Sequence, residues 1–140
     1  MTEMVFRIPV DIDWDEGEWF ECPVEGFRGA RFRLRYNYPD KVGEILKRNT
    51  TLIRGRAGEE RDVDGDGVGL DTYDWIIQGW DGLADKDGKA LPCTRENKSK
   101  LVGRFKSVDK WIWSVGHDEQ TIARVKLERL EAEKKISATG

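Results

Sequence analysis

The feature that most constrains the fold is a seven-residue segment in which apolar and charged side chains alternate strictly. From Ala30 to Tyr36 the sequence reads ARFRLRY, which places three arginines on one face of a strand and Phe32, Leu34 and Tyr36 on the other. This is the clearest strand in the chain. Because acidic residues precede it, we expect the arginines to pair with carboxylates across the sheet rather than to recognise an acidic partner.

A second strand and two loops are predicted around this one. Residues 4–12 (MVFRIPVDI) are rich in β-forming residues, and Pro9 predicts a sheet edge because proline cannot donate a backbone hydrogen bond. Residues 11–25 contain seven acidic side chains and no basic one, which predicts an acidic loop or an irregular hairpin. Residues 54–70 are rich in glycine and poor in apolar groups, which predicts a second acidic loop.

The other elements are predicted helices, each recognised by a cap residue followed by apolar spacing. Residues 71–78 are too short for periodicity to decide between strand and helix, and a helix capped by Asp71 is favoured. The remaining helices are expected over 39–48, over 94–102 with Thr94 as the cap, after Ser107 or Asp109, and over 119–136 after Asp118. Helical spacing predicts one apolar face for each of the last two, made by Val108, Trp111, Ile112 and Val115 and by Ile122, Ala123, Leu127 and Leu130.

Together these elements predict a single α+β domain, with a small antiparallel sheet near the N-terminus followed by three or four helices. At 140 residues the chain fits one domain, expected over 1–136, with acidic loops at 11–25 and 54–70 and a disordered tail at 137–140. Neither an apolar run of about 20 residues nor the blocks of a signal peptide are found, so we expect a cytoplasmic protein with no membrane partner. The two cysteines, Cys22 and Cys93, are expected to be free thiols.

Charge is distributed unevenly along the chain. Residues 1–93 contain 13 basic and 20 acidic side chains, and residues 94–140 contain 11 and 7, so the net charges are −7 and +4. A short basic third of this kind does not favour nucleic acid as the partner.

One segment has the pattern of a metal site. Asp62, Asp64 and Asp66 match the first, third and fifth ligand positions of a calcium loop. The twelfth position, which should provide a bidentate glutamate, is Tyr73, and the eighth is Gly69. A solvated acidic turn is therefore favoured over a metal site, no cofactor is expected, and a calcium-stabilised protein-binding module remains an alternative.

No arrangement of residues predicts catalysis. The single histidine, His117, lies in a polar stretch at a predicted helix junction, where a capping or exposed role is more common than a catalytic one. The chain is therefore expected not to be an enzyme. Six tryptophans are more than one small core accommodates easily, and Trp113 projects away from the helix face that holds Trp111, which makes it a predicted protein contact.

Residues 78–97 (QGWDGLADKDGKALPCTREN) combine a Gly-Trp-acid-Gly segment, an Asp-Gly turn, a proline and a helix that opens Thr-x-Glu-Asn. This segment resembles the tail assembly chaperones of long-tailed bacteriophages, and the looser similarity extends upstream over 27–46 and into the charged C-terminal helix. The segments 11–25 and 62–71 depart from that family's pattern and look like insertions.

The resemblance implies a non-catalytic protein of the bacterial host cytoplasm that binds the tape measure protein, recruits tail tube subunits during tail morphogenesis, and self-associates. Under this hypothesis the basic terminal helix is the docking element, and the expected packing or interface residues are Trp80, Leu83, Trp111 and Trp113. The alternative is a structural tail or neck component of the virion, such as a tail terminator or a minor tube protein.

Overall fold

The computed structural model describes residues 11–55 and 58–139, with side chains described as far as Ile136. Within these residues it has an α+β fold, as predicted, with a three-stranded antiparallel sheet of order β1-β2-β5 and a separate hairpin of β3 and β4. In chain order the elements are β1 (Glu18–Glu21), β2 (Arg31–Leu34), α1 (Pro39–Arg48), β3 (Thr50–Gly55), β4 (Gly58–Val63), α2 (Gly65–Ile76), β5 (Ile77–Asp81), α3 (Arg95–Arg104), α4 (Lys106–Gly116) and α5 (Glu119–Thr139).

The predicted alternating strand is the central strand of the sheet. Phe32 and Leu34 of β2 are fully buried, and Phe32 lies opposite Trp80 of β5. On the other face, Arg31 contacts Asp81 at 3.0 Å and Arg33 contacts Glu16 at 3.6 Å. The expected pairing with carboxylates is confirmed for Arg31 and Arg33, although the partner of Arg31 comes from β5 rather than from the upstream acidic segment. Arg35 instead donates to the backbone carbonyls of Trp75 at 2.6 Å and Asp74 at 3.3 Å.

Helices α2, α3 and α4 cover the apolar face of the sheet. Their buried residues form one cluster with those of the strands, and its members are Cys22, Ala30, Phe32, Leu34, Ile76, Ile77, Leu101, Val102, Val108 and Ile112. The predicted apolar face of α4 is confirmed, because Val108 and Ile112 are fully buried while Trp111 and Val115 pack against the cluster.

Close packing between α4 and α2 depends on a glycine. A Cβ at Gly116 would lie 2.7 Å from both Cδ1 and Cγ2 of Ile76, and the Gly116 carbonyl accepts a 2.8 Å hydrogen bond from the Asn37 backbone amide. We expect Gly116→Ala to lower the free energy of unfolding by about 1–3 kcal/mol through overpacking. Chemical denaturation measures the change.

Gly103 provides the matched control for this substitution. It lies in helix α3, and a Cβ there would meet no atom within 4 Å. Gly103→Ala is therefore expected to raise the free energy of unfolding, by about 0.5–1 kcal/mol, because alanine is the better helix former. Equal effects of the two substitutions would contradict the proposed clash with Ile76.

The prediction of a loop over 54–70 is wrong. Apart from residues 56 and 57, which lie outside the described residues, this segment completes β3, forms β4 and begins α2. A paired hairpin satisfies its own backbone hydrogen bonds and needs little apolar burial. Asp64 caps α2 by accepting a 3.1 Å hydrogen bond from the Gly67 amide, so the helix begins six residues before the predicted cap, Asp71. Asp71 is a buried residue within the helix.

Other boundaries are partly as predicted. The helix over 39–48 and the caps of α3 and α5 by Thr94 and Asp118 are confirmed. Helix α4 begins at Lys106, before both predicted caps, and no side chain caps it. The described residues contain five helices, more than the three or four expected, and α2 covers 65–76 where a helix was favoured over 71–78.

Three further predictions concern the chain ends and the first loop. The expected acidic loop over 11–25 contains β1, whose residues pair with β2 in register. Most of the predicted strand over 4–12 lies outside the described residues, and residues 11 and 12 are not in a strand. The expected tail at 137–140 is wrong as far as residue 139, because α5 continues to Thr139, and Gly140 lies outside the described residues.

Candidate protein-binding groove

Buried charges fix the position of the C-terminal helix on the sheet. Glu18 of β1 and Lys126 of α5 are each only 2% exposed. The Lys126 ammonium donates to the Glu18 carboxylate at 2.9 Å and to the Glu16 carbonyl at 2.6 Å. Arg129, one turn further along, donates to the same carboxylate from Nε at 2.6 Å and from Nη2 at 3.2 Å. Because an unpaired buried charge is costly, this cluster sets the rotation of α5 about its axis.

The protonation of Glu18 follows from these contacts. Burial raises the pKa of the carboxyl, but the hydrogen bonds and charges of Arg129 and Lys126 outweigh it, so the pKa lies below the usual glutamate range. The glutamate is therefore ionised in the folded protein, as both of its basic partners require.

The rotation of α5 leaves an apolar groove beside the segment that precedes β1. The groove has a volume of about 590 Å³, and its apolar lining residues are Ile12, Trp14, Ala123 and Leu127. Trp14 is held in place by an edge-to-face contact with Tyr36, with the ring centroids 4.8 Å apart. Concave apolar surface of this kind is typical of protein and ligand binding sites.

The rim of the groove is acidic. Four carboxylates line it, from Asp118, Glu119, Glu128 and Glu131, and the basic side chain among its lining residues is Arg124. The expectation of a basic docking helix therefore needs correction for this side of α5. The helix is basic by count, but Lys126 and Arg129 point at Glu18 and do not line the groove.

Three of the four predicted interface residues pack within the fold. Trp80 and Trp111 both pack edge to face against Phe32, and their ring centroids lie 6.1 and 5.6 Å from that of Phe32. The Trp80 indole also donates to the Leu91 carbonyl at 2.8 Å, and Leu83 packs against the core cluster. Trp80, Leu83 and Trp111 therefore act in packing, the first of the two roles predicted for them.

Trp113 is the exposed member of the predicted set. Its side chain is among the exposed large hydrophobic groups, and its ring lies 4.2 Å from that of His117. The histidine is positioned by structural contacts, with Nδ1 2.8 Å from the Trp113 carbonyl and Nε2 3.1 Å from the Asn37 amide nitrogen. When Nδ1 donates to that carbonyl, Nε2 accepts from the amide, so both ring nitrogens have structural partners.

The three aspartates of the calcium-like motif are divided between strand β4 and the start of helix α2. Asp62 belongs to β4, Asp64 is the cap of α2, and Asp66 lies in the first turn of that helix. Across residues 11–55 and 58–139, no group of three or more potential ligands from His, Cys, Asp and Glu is arranged to hold a metal ion. The Asp64 carboxylate is used instead to satisfy the amide of Gly67.

Both cysteines are free, as predicted. Burial raises the pKa of the Cys22 and Cys93 thiols, which reduces the fraction of reactive thiolate at neutral pH.

In the part of the chain that the structure describes, no helix is long and apolar enough to cross a bilayer. Comparison of the chain with protein-family models, curated proteins and solved structures finds no match.

Sequence reasoning missed the residues that position the groove. A signal was present, because Lys126 falls four residues after the fully buried Ile122 and so shares its face of α5. The predicted apolar side of this helix included Leu130, which is instead exposed. The pairing of Lys126 with Glu18 spans 108 residues, and no local pattern indicates a contact at that separation.

Proposed function

We propose that this protein is a non-catalytic tail assembly chaperone of a long-tailed phage, which binds the tape measure protein and recruits tail tube subunits. The observation that carries the proposal is the apolar groove with an acidic rim along the first half of α5. The sequence resemblance of residues 78–97 supplies the biological role, and the groove supplies a surface on which that role can be performed.

The groove favours a particular kind of partner segment. Its apolar floor suits one face of an amphipathic helix, a recognition mode in which residues at helical spacing insert into a hydrophobic groove. Its carboxylate rim favours basic side chains beside that face and disfavours acidic ones. Aggregation-prone apolar helices of a tape measure protein, flanked by lysine or arginine, have this chemistry.

Co-expression with the tape measure protein of the same phage tests the proposal. We expect this chain to increase the soluble fraction of the tape measure protein and to co-purify with it. Leu127→Arg places a charge on the floor of the groove and is expected to raise the dissociation constant at least about tenfold, equivalent to roughly 1.4 kcal/mol of binding free energy. The amount of tape measure protein that co-purifies should fall accordingly.

Leu130→Arg is the matched control, because Leu130 is an exposed leucine of the same helix that does not line the groove. It should leave co-purification unchanged. The double substitution Glu128→Lys with Glu131→Lys alters only exposed rim residues, so it should weaken binding without affecting folding. Normal solubility and co-purification with both groove variants would contradict the assigned surface.

Two results would contradict the function itself. One is failure of the wild-type chain to solubilise or bind the tape measure protein. The other is its presence in stoichiometric amount in purified virions, measured by mass spectrometry, since a chaperone leaves the finished tail.

A further inference from the structure

The β3–β4 hairpin is the part of the fold with the least internal support. Among the described residues its two strands pair only with each other, and every residue except Thr50 is exposed. Contacts hold it at its base, where the Asp64 amide donates to the Asn49 carbonyl at 2.8 Å and the Thr50 hydroxyl donates to the Leu46 carbonyl at 2.6 Å. Because an isolated two-stranded hairpin is only marginally stable in water, further pairing would stabilise it.

Neither face of the hairpin forms an apolar docking surface. Residues directly opposite each other share a face, and Leu52 lies opposite Arg61 while Ile53 lies opposite Glu60. Each exposed apolar side chain of β3 therefore has a charged neighbour on its own face. The open edges of the two strands, which carry unpaired backbone groups, are the remaining binding feature.

The two edges differ in charge, and the difference selects β3. Strand β3 (TTLIRG) contains one charged residue, Arg54, so an antiparallel pair of β3 strands centred on Leu52 or Ile53 opposes no like charges. Strand β4 (GEERDV) contains four charged residues. Two β4 strands paired across a two-fold axis and centred on Glu60 oppose that glutamate with itself, although Glu59 then faces Arg61. Centred on Arg61, they oppose that arginine with itself and Glu60 with Asp62.

We propose that β3 pairs antiparallel with β3 of a second copy of this chain, which creates a four-stranded sheet of order β4-β3-β3-β4 across a two-fold axis. Such an interface is closed, because the same strand is used by both copies. Leu52 and Ile53, which are 62% and 48% exposed in the single chain, lie at the centre of this pair. The charged β4 strands become the outer edges, where charged side chains oppose further strand addition.

This proposal is independent of the groove on α5, because it uses different elements and needs no other protein. Sedimentation velocity of the purified full chain over a wide concentration series tests it. The expected result is a reversible dimer of twice the 16.1 kDa chain mass, with no larger species as the concentration rises.

A charge-exchange pair tests the β3 contact directly. The double variant Leu52→Lys with Ile53→Lys, and the double variant Leu52→Glu with Ile53→Glu, each oppose like charges whether the strand pair is centred on Leu52 or on Ile53. Each alone is expected to raise the dimer dissociation constant at least about tenfold. An equimolar mixture should form a heterodimer, because lysine then faces glutamate across the axis.

Val63→Lys is the control, since Val63 is an exposed apolar residue of β4 and does not belong to the proposed edge. It should leave the dimer intact, and thermal melting should show that all variants remain folded. The proposal is overturned by a wild-type monomer, by growth into open-ended assemblies, by dissociation of the Val63→Lys dimer, or by failure of the mixed variants to associate.

Discussion

Replacing Glu18 by glutamine is expected to lower the free energy of unfolding by about 3–5 kcal/mol, the usual result of removing one partner from a buried ion pair. The substitution keeps the size of the side chain but removes the charge that compensates Lys126, which is 2% exposed. It also removes the charge that Arg129 contacts through two nitrogens. Urea denaturation followed by tryptophan fluorescence measures the change.

Glu133→Gln is the matched control for this substitution. Glu133 also pairs with Arg129, at 3.0 Å, but Glu133 is an exposed residue one turn along the surface of α5. Glu133→Gln should lower the free energy of unfolding by less than about 0.5 kcal/mol, as is usual for ion pairs between neighbouring turns of a helix. The combination Glu18→Gln with Lys126→Met removes the uncompensated charge and should recover part of the lost stability. A similar cost for Glu18→Gln and Glu133→Gln would contradict the role assigned to the buried cluster.

The same cluster predicts a dependence of stability on pH. The pKa of Glu18 is lower in the folded protein than its usual value of about 4.3, so the unfolded chain binds the proton more readily. The contribution of Glu18 to the free energy of unfolding is therefore complete above the pKa that Glu18 has in the unfolded chain. It is lost as the pH falls through the lower pKa that Glu18 has in the folded protein. The stability difference between wild type and Glu18→Gln should accordingly shrink as the pH is lowered below about 4.

Phe32→Ala is expected to lower the free energy of unfolding by about 3–5 kcal/mol, because it deletes a large, fully buried ring and leaves a cavity. The ring contacts Trp80 and Trp111 edge to face, so both tryptophans lose packing at once. Equilibrium denaturation gives the magnitude, and the tryptophan fluorescence of the native state should change as well.

Phe105→Ala makes the same chemical deletion at a position that is 45% exposed. Its ring contacts Phe27 at 5.0 Å, so a loss of about 1 kcal/mol is expected from that aromatic pair and the partial burial. If Phe32→Ala lowers the free energy of unfolding no more than Phe105→Ala does, the central position of β2 in the core is contradicted.

Local patterns predicted the elements whose stability comes from their own residues. The alternation over 30–36 identified β2 and its buried face, and the caps Thr94 and Asp118 located the starts of α3 and α5. Each of these signals lies within a few residues of the structure it predicts, because side-chain alternation and capping are local properties of the backbone.

Patterns failed where distant residues decide the conformation. Residues 65–76 form α2 despite three glycines, since Asp64 caps the helix and Thr72 and Ile76 are buried against other elements. Residues 77–81, which the sequence grouped partly with a helix, become β5 because Ile77 and Trp80 pair with β2, some 45 residues earlier in the chain. Tertiary pairing therefore overrides a weak local preference, as is common for short apolar segments.

The sequence by itself determined the α+β class, the central strand and its arginine face, the free cysteines and most of the helix starts. It also indicated that the terminal helix is basic by count. Only the tertiary structure decided which side of that helix faces the sheet and which side lines the groove. Glu18 draws Lys126 and Arg129 inward, so an acidic rim surrounds the apolar groove. The physical reason is that a buried carboxylate must be compensated by the cations that can reach it, and chain topology determines which cations those are.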